Sequence, residues 1–225
     1  MRNNMQKMFS AALLDMDGLL LNTEDIAFEA FTKVCQDNGA TFTEEIHRRI
    51  LGTRSDFWSE FVVKETRLDI TPKVFREMYR DVYSELIPRL IRVMPGTLEF
   101  LDWADLNSLK LSVVTSSSQA SLERNLKLVG IRERFSVVVT AESVVEGKPS
   151  PEPYLKASQF LNLDIANCVV LEDSISGTQS GFAAGAYVIA IPSRGADQTL
   201  YKHQDFICNS MIEARNHLNG LMNRS

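Results

Sequence analysis

Five short apolar runs, Ala11 to Leu14, Leu111 to Val114, Val137 to Val139, Cys168 to Leu171 and Tyr187 to Ile191, each stop at small, polar or turn residues. Unbroken apolar runs of this length are the pattern of strands buried on both faces. Between most of them lie segments of helical period: Leu98, Leu101 and Ala104, then Leu122, Leu126 and Val129, then Tyr154, Ala157, Phe160 and Leu161. Strand alternating with helix predicts an α/β fold, a doubly wound parallel sheet with helices on both faces. A final strand near Phe206 to Cys208 and a helix from Ser210 to Leu218 complete the pattern. In such sheets ligands gather at the carboxyl ends of the strands, where strand order reverses. The polar residues just past each apolar run are therefore the ones to inspect.

The alternation breaks once. From Thr23 to about Arg92 the pattern is helical alone: Ala27, Phe31 and Val34, then Phe57, Phe61 and Val62, then Phe75, Met78, Tyr79 and Val82. Gly39 follows the first segment, and Thr71-Pro72 is an N-cap and first-turn pair for the last. Residues 23–92 read as a helical module inserted after the first strand, with 1–22 and 93–225 as the core. The connectors fall near Leu21-Asn22-Thr23 and between Pro88 and Pro95. A chain of 225 residues suits one domain with an insertion, on a prior of about 150 residues per domain.

Charge and cysteine content exclude several function classes. Twenty-four basic against 29 acidic residues leave a net charge of -5, the wrong sign for a phosphate backbone or an anionic lipid surface. Neither nucleic acid nor membrane is expected as a partner. Cys35, Cys168 and Cys208 are widely spaced and form no CxxC, so a reducing, cytoplasmic setting is expected and a thiolate zinc site is not. The apolar stretch from Phe9 to Leu14 is cut short by Asp15 and Asp17 before it reaches the length of a signal peptide, and no run approaches a membrane span. His47, His203 and His217 form no HExxH, Gly147-Lys148 lacks the upstream glycine of a P-loop, and no GxGxxG follows a strand.

Four strand ends carry chemistry. Asp15-Met16-Asp17-Gly18 closes the first: carboxylates at i and i+2 share a side, and Gly18 lets the chain turn away. Such a pair suits a hard divalent cation, although Asp-Gly after an apolar run also serves simply to stop a strand. Thr115-Ser116-Ser117-Ser118 follows the second strand and offers either an anion site at a helix start or no more than a cap for that helix. Lys148-Pro149 follows the third, as an aimed point charge for phosphate or a solvated loop lysine. Glu172-Asp173-Ser174 follows the fourth, where acidic residues also favour the helix start. The bland readings do not predict the four together, which make a magnesium-assisted phosphoryl-transfer kit.

With these motifs in order, from Asp15-Met16-Asp17-Gly18-Leu19-Leu20-Leu21-Asn22-Thr23-Glu24 through Val113-Val114-Thr115-Ser116-Ser117-Ser118 and Gly147-Lys148-Pro149-Ser150-Pro151-Glu152-Pro153-Tyr154 to Leu171-Glu172-Asp173-Ser174, the chain resembles the haloacid dehalogenase-type (HAD) phosphatases. The resemblance is to the branch of beta-phosphoglucomutase and the sugar-phosphate phosphatases, and it runs from about Ala11 to Ile191. It implies a Rossmann-like core, with the helical insertion as a cap that closes over small substrates. It implies an Mg2+-dependent phosphatase acting through an aspartyl-phosphate on a small phosphorylated metabolite, expected to be a sugar phosphate. The chain is expected to be a monomer or weak dimer.

The resemblance also implies roles. Asp15 is the nucleophile and a metal ligand, and Asp17 is the acid-base residue that contributes its main-chain carbonyl to the metal. Asp173 is a second metal ligand, and Glu172 a direct or water-mediated one. Lys148 and Ser116, with main-chain N–H groups near Ser117 and Gly18, hold the phosphoryl oxygens; Thr115 replaces Ser116 if the strand ends one residue earlier. Arg54 is a candidate second contact to substrate, or a solvated arginine before a helix. Two alternatives differ in class. A phosphosugar mutase uses the same intermediate, but the mutase has a histidine four residues after the threonine matching Thr23, and here that residue is Ala27. A phosphoaspartate receiver is shorter and has no helical insertion. A dehalogenase typically lacks the second aspartate, so Asp17 favours phosphoryl transfer.

Overall fold

The computed structural model describes residues 9–50, 55–193 and 196–223, with the backbone alone at Ser55. Its six strands are β1 (Ala11–Leu14), β2 (Lys110–Val114), β3 (Val137–Val139), β4 (Cys168–Glu172), β5 (Tyr187–Ala190) and β6 (Phe206–Ile207). They form one sheet in the order β3-β2-β1-β4-β5-β6, and every neighbouring pair is parallel. This is the doubly wound α/β fold expected from the sequence. Strand order reverses at β1, which places the ligand crevice beyond the carboxyl ends of β1 and β4.

Burial on both faces explains the apolar runs. All four residues of β1 and all five of β4 are buried, and the order of residues along each strand shows no exposed face. On one side Leu13, Val114, Val139, Cys168 and Val170 pack with Tyr154, Ala157 and Leu161 of helix α7 (Glu152–Leu161). The helix after β4, α8 (Ile175–Ala184), lies close enough that a Cβ on Gly181 would stand 2.9 Å from Val170. The small residues there are the condition for that approach.

The chain divides into two compact units, Met1–Leu21 with Val93–Ser225, and Asn22–Arg92. Asn22 falls with the helical unit, one residue earlier than the boundary read from the sequence. The reason is local: its side-chain carbonyl accepts from the Arg92 N–H at 2.8 Å, and its amide donates to the Leu90 carbonyl at 3.3 Å. The helical unit contains α1 (Thr23–Asp37), α2 (Glu44–Ile50), α3 (Ser55–Thr66) and α4 (Pro72–Leu90). Its core is Phe31, Val34, Cys35, Phe42, Val62 and Phe75, and the Phe31 ring stacks on Tyr79 at 4.3 Å. Thr71 caps α4 by accepting from the Val74 N–H, with Pro72 in the first turn. The helix continues through Pro88 to Leu90, so the connector begins later than expected. Proline so near a helix end forfeits one backbone bond without breaking the turns before it.

Candidate active site

Strand register brings the acidic residues together. Leu14 of β1 is level with Val113 of β2 and with Leu171 of β4, so Asp15 emerges beside Val114 and Glu172. The Asp15 N–H donates to the Leu171 carbonyl at 3.1 Å, fixing the backbone at that level. Gly18, at φ 86, then turns the chain, a conformation open to glycine at little cost. Its N–H closes the turn on the Leu21 carbonyl at 2.9 Å, so it serves the loop in this structure.

Lys148 reaches this point from the segment between β3 and α7. Its ammonium donates to Asp15 Oδ1, to Glu172 Oε1 at 2.6 Å and to the Val114 carbonyl at 2.8 Å. These use all three donors that an ammonium has. The side chain is 5% exposed. Burial alone would lower the lysine pKa, but Asp15 and Glu172 outweigh it and hold the ammonium above its ordinary value. Asp15 is pushed well above the usual carboxylate range by burial, with Glu172 and Asp17 adding to the rise and Lys148 opposing it.

Glu172 is wholly buried. Besides Lys148, its Oε1 accepts from the Tyr154 hydroxyl at 2.8 Å, and its Oε2 accepts from the Ser174 N–H at 3.1 Å and hydroxyl at 2.9 Å. Four donors therefore surround this carboxylate, which is what a carboxylate can accept. Ser174 in turn caps α8 by accepting from the Gly177 N–H at 3.0 Å. Asp173, 9% exposed, accepts from the Ser193 hydroxyl at 3.3 Å, and its carbonyl accepts from the Tyr201 hydroxyl.

Asp17 faces the end of β2. The hydroxyls of Thr115 and Ser117 both donate to its Oδ2, each at 2.8 Å. Because β2 ends at Val114, Thr115 is the first residue past the strand, and its hydroxyl goes to Asp17 and also accepts from the Ser117 N–H at 3.0 Å. Ser116 is exposed and lines a cavity of about 180 Å³ with Thr115, Gly147 and Lys148. Ser118 caps the helix Gln119–Leu128 by accepting from the Ser121 N–H. The serine cluster thus both caps the helix and faces a cavity. Arg54 lies outside the described residues.

One carboxylate oxygen each from Asp15, Glu172 and Asp173 lies within 4.8 Å of the others. Oxygen donors at such spacing fit a hard divalent cation. The electrostatics agree, since Asp15 and Glu172 share the Lys148 ammonium and Asp173 brings a third carboxyl group to the same cluster. The Asp17 side chain is turned to Thr115 and Ser117, so its carboxylate is not part of this cluster.

Sequence reading did not single out Ser193, Tyr201 or the hydroxyl of Tyr154. Ser193 lies just past β5, where the rule of inspecting strand ends leads. Tyr154 stands in the motif around Lys148, but only the fold shows that its hydroxyl meets Glu172. No signal marked Tyr201. The histidines pack against rings: His47 on Phe28, His203 on Phe182, and His217 on Phe206 at 3.6 Å. The three cysteines are buried and free, and no helix among the described residues is long and apolar enough to cross a membrane.

Residues 12–191 match the sequence model of the family described as haloacid dehalogenase-like hydrolase. A phosphorylated carbohydrates phosphatase of Thermotoga maritima is 31% identical over 175 residues, 78% of this chain and 81% of that protein. A bifunctional riboflavin kinase/FMN phosphatase of Arabidopsis thaliana is 30% identical over 216 residues, 96% of this chain; the chain spans 57% of that relative's length. Hexitol phosphatase A of Escherichia coli is 29% identical over 200 residues, 88% of this chain and 90% of that protein. Among solved structures, CbbY of Rhodobacter sphaeroides in complex with phosphate superposes with a TM-score of 0.73 at 25% identity, covering 92% of this chain and 96% of that one. A HAD family hydrolase from Deinococcus radiodurans shares the fold with a TM-score of 0.84 at 24% identity, covering 96% of this chain and 99% of that one.

Proposed function

The chain belongs to the haloacid dehalogenase-like hydrolases, and from that premise we propose that it is a magnesium-dependent phosphatase releasing phosphate from a small phosphorylated metabolite, a sugar phosphate first. The observation that carries this reading is the meeting of Asp15, Lys148, Glu172 and Asp173 at the strand-order reversal, with Asp17 held one step away by two hydroxyls. The phosphatase relatives support the reaction class, and the carbohydrate and hexitol phosphatases among them support the substrate class.

Asp15, at the centre of the crevice, is the nucleophile. Its attack on phosphorus forms an aspartyl-phosphate and expels the alcohol. Asp17 gives the leaving oxygen a proton and then takes one from the water that releases phosphate. The Thr115 and Ser117 hydroxyls hold the Asp17 carboxylate in one orientation for both transfers. Lys148 and the Ser116 hydroxyl, which share the cavity, hold phosphoryl oxygens as charge moves toward the leaving group. Asp15 and Asp173, with the Asp17 main-chain carbonyl, would hold the magnesium ion. When bound, that ion supplies the positive charge that offsets repulsion between carboxylate and phosphate. Glu172, with its acceptor positions taken by protein donors, holds Lys148 in place and reaches the metal no more closely than through water.

The test is a panel of phosphorylated sugars, sugar alcohols, glycolate phosphate, nucleotides and an aryl phosphate, with and without Mg2+. Phosphate release from small esters only when Mg2+ is present supports the proposal. Release from none of them contradicts it. Incubation with beta-glucose 1-phosphate and a trace of the bisphosphate separates the mutase, which would accumulate glucose 6-phosphate in place of free phosphate.

A further inference from the structure

Among the described residues the Tyr154 hydroxyl donates to one partner, the carboxylate that holds the lysine. The ring belongs to the core of the sheet unit and is wholly buried, packed with Leu13, Val114 and Ala157. An apolar ring would fill that space as well. The hydroxyl, however, sits 2.8 Å from Glu172 Oε1, the same oxygen that takes the Lys148 ammonium at 2.6 Å.

Glu172 is pinned on its other oxygen by Ser174, through both the N–H and the hydroxyl. Tyr154 is the donor that competes with Lys148 on Oε1. Without it, Glu172 has only the ammonium on that oxygen, and the pull on Lys148 away from Asp15 and the Val114 carbonyl grows. The lysine sits 5.3 Å from the centre of the Tyr154 ring, so a change in the tyrosine is felt by the ammonium directly as well.

We propose that Tyr154 is a positioning residue for the phosphoryl-transfer site, acting through Glu172 to set where the Lys148 ammonium stands between Asp15 and the incoming phosphate. The proposal rests on the phosphatase reading for its consequence in catalysis, and on the hydrogen-bond chain alone for its structural content.

The test is Tyr154→Phe, which keeps the ring and removes the hydroxyl, alongside Glu172→Gln and the double variant. With an aryl phosphate and Mg2+, Tyr154→Phe is expected to lower kcat about tenfold with KM within about twofold. The double variant is expected to lose no more than Glu172→Gln alone, because the tyrosine acts through the glutamate. A purely structural role predicts additive losses. In parallel, the 15N resonance of the Lys148 ammonium, assigned by its loss in Lys148→Arg, is followed in the folded protein without substrate. Tyr154→Phe is expected to shift it. An unchanged resonance, or losses that add, overturns the proposal. Since the resonance needs no turnover, it decides the Tyr154 link even if no ester is hydrolysed, an outcome that would count against the phosphatase reading instead.

Discussion

Gly177 and Glu172 compete for one space: a Cβ on Gly177 would stand 1.8 Å from Glu172 Oε1, inside any possible contact. The glycine in the first turn of α8 is therefore what lets the buried carboxylate lie between Lys148 and Tyr154. Seen this way, the packing of a helix on the sheet and the placement of a charge in the site are one constraint.

The first prediction follows. Gly177→Ala must displace Glu172, and with it Lys148. Overpacking a filled interior costs about 1–3 kcal/mol. Thermal unfolding is expected to shift down accordingly, while kcat on an aryl phosphate falls at least tenfold, more than the small loss of stability explains. Activity within twofold of wild type would show that Glu172 has another place to go.

A second prediction separates the two acidic residues at the end of β4. All acceptor positions of Glu172 are taken by Lys148, Tyr154 and Ser174, whereas Asp173, whose carboxylate oxygen lies within 4.8 Å of those of Asp15 and Glu172, is the ligand we assign to the metal beside Asp15. Asp173→Asn is expected to raise the Mg2+ concentration for half-maximal activity by tenfold or more. Glu172→Gln is expected to lower kcat while moving that concentration far less. Chelation should abolish turnover in the wild type, and added Mg2+ should restore it. Equal shifts in Mg2+ requirement for both variants would place Glu172 on the metal directly.

The third concerns pH and the helical unit. Burial among the rings of Phe28 and Phe42 lowers the His47 pKa below 6.5, against the opposing pull of Asp25 and Glu44. The unfolded chain then binds the proton more readily than the folded one. Stability from this group is complete above the unfolded pKa and is lost as pH falls below it toward the folded value. Urea midpoints measured at pH 7.5 and pH 5.5 are expected to fall more in the wild type than in His47→Gln. Equal falls would mean that His47 is protonated as easily folded as unfolded.

Much of the site was legible because strand-end chemistry is local. Asp15, Asp17 and Asp173 stand just past apolar runs and Lys148 in the segment after the third, and the parallel sheet brings such ends together whatever the details of packing. The period of the helices was legible too, but not the edges of their buried stripes: Leu98, Phe57 and Phe160 keep the period and are exposed at 44%, 51% and 57%. A period gives the direction of a stripe, while its width depends on neighbours. Helix α2 went unread because seven residues with two apolar positions carry almost no periodic signal. The saturation of Glu172 was invisible because its donors come from three separate stretches of chain, at Lys148, Tyr154 and Ser174. Thr115 shows the same limit: one residue of strand length decides whether it or Ser116 stands first past β2, and in the structure it is the Thr115 hydroxyl that meets Asp17.

The most direct test of the account is capture of the phosphorylated enzyme in Asp17→Asn, where attack by Asp15 survives and release by water does not. After incubation with Mg2+ and an aryl phosphate, acid quenching and proteolysis, mass spectrometry should find one phosphoryl group on the Asp15 side chain, absent from Asp15→Asn. A phosphoryl group on any other residue, or full turnover by Asp15→Asn, would contradict it.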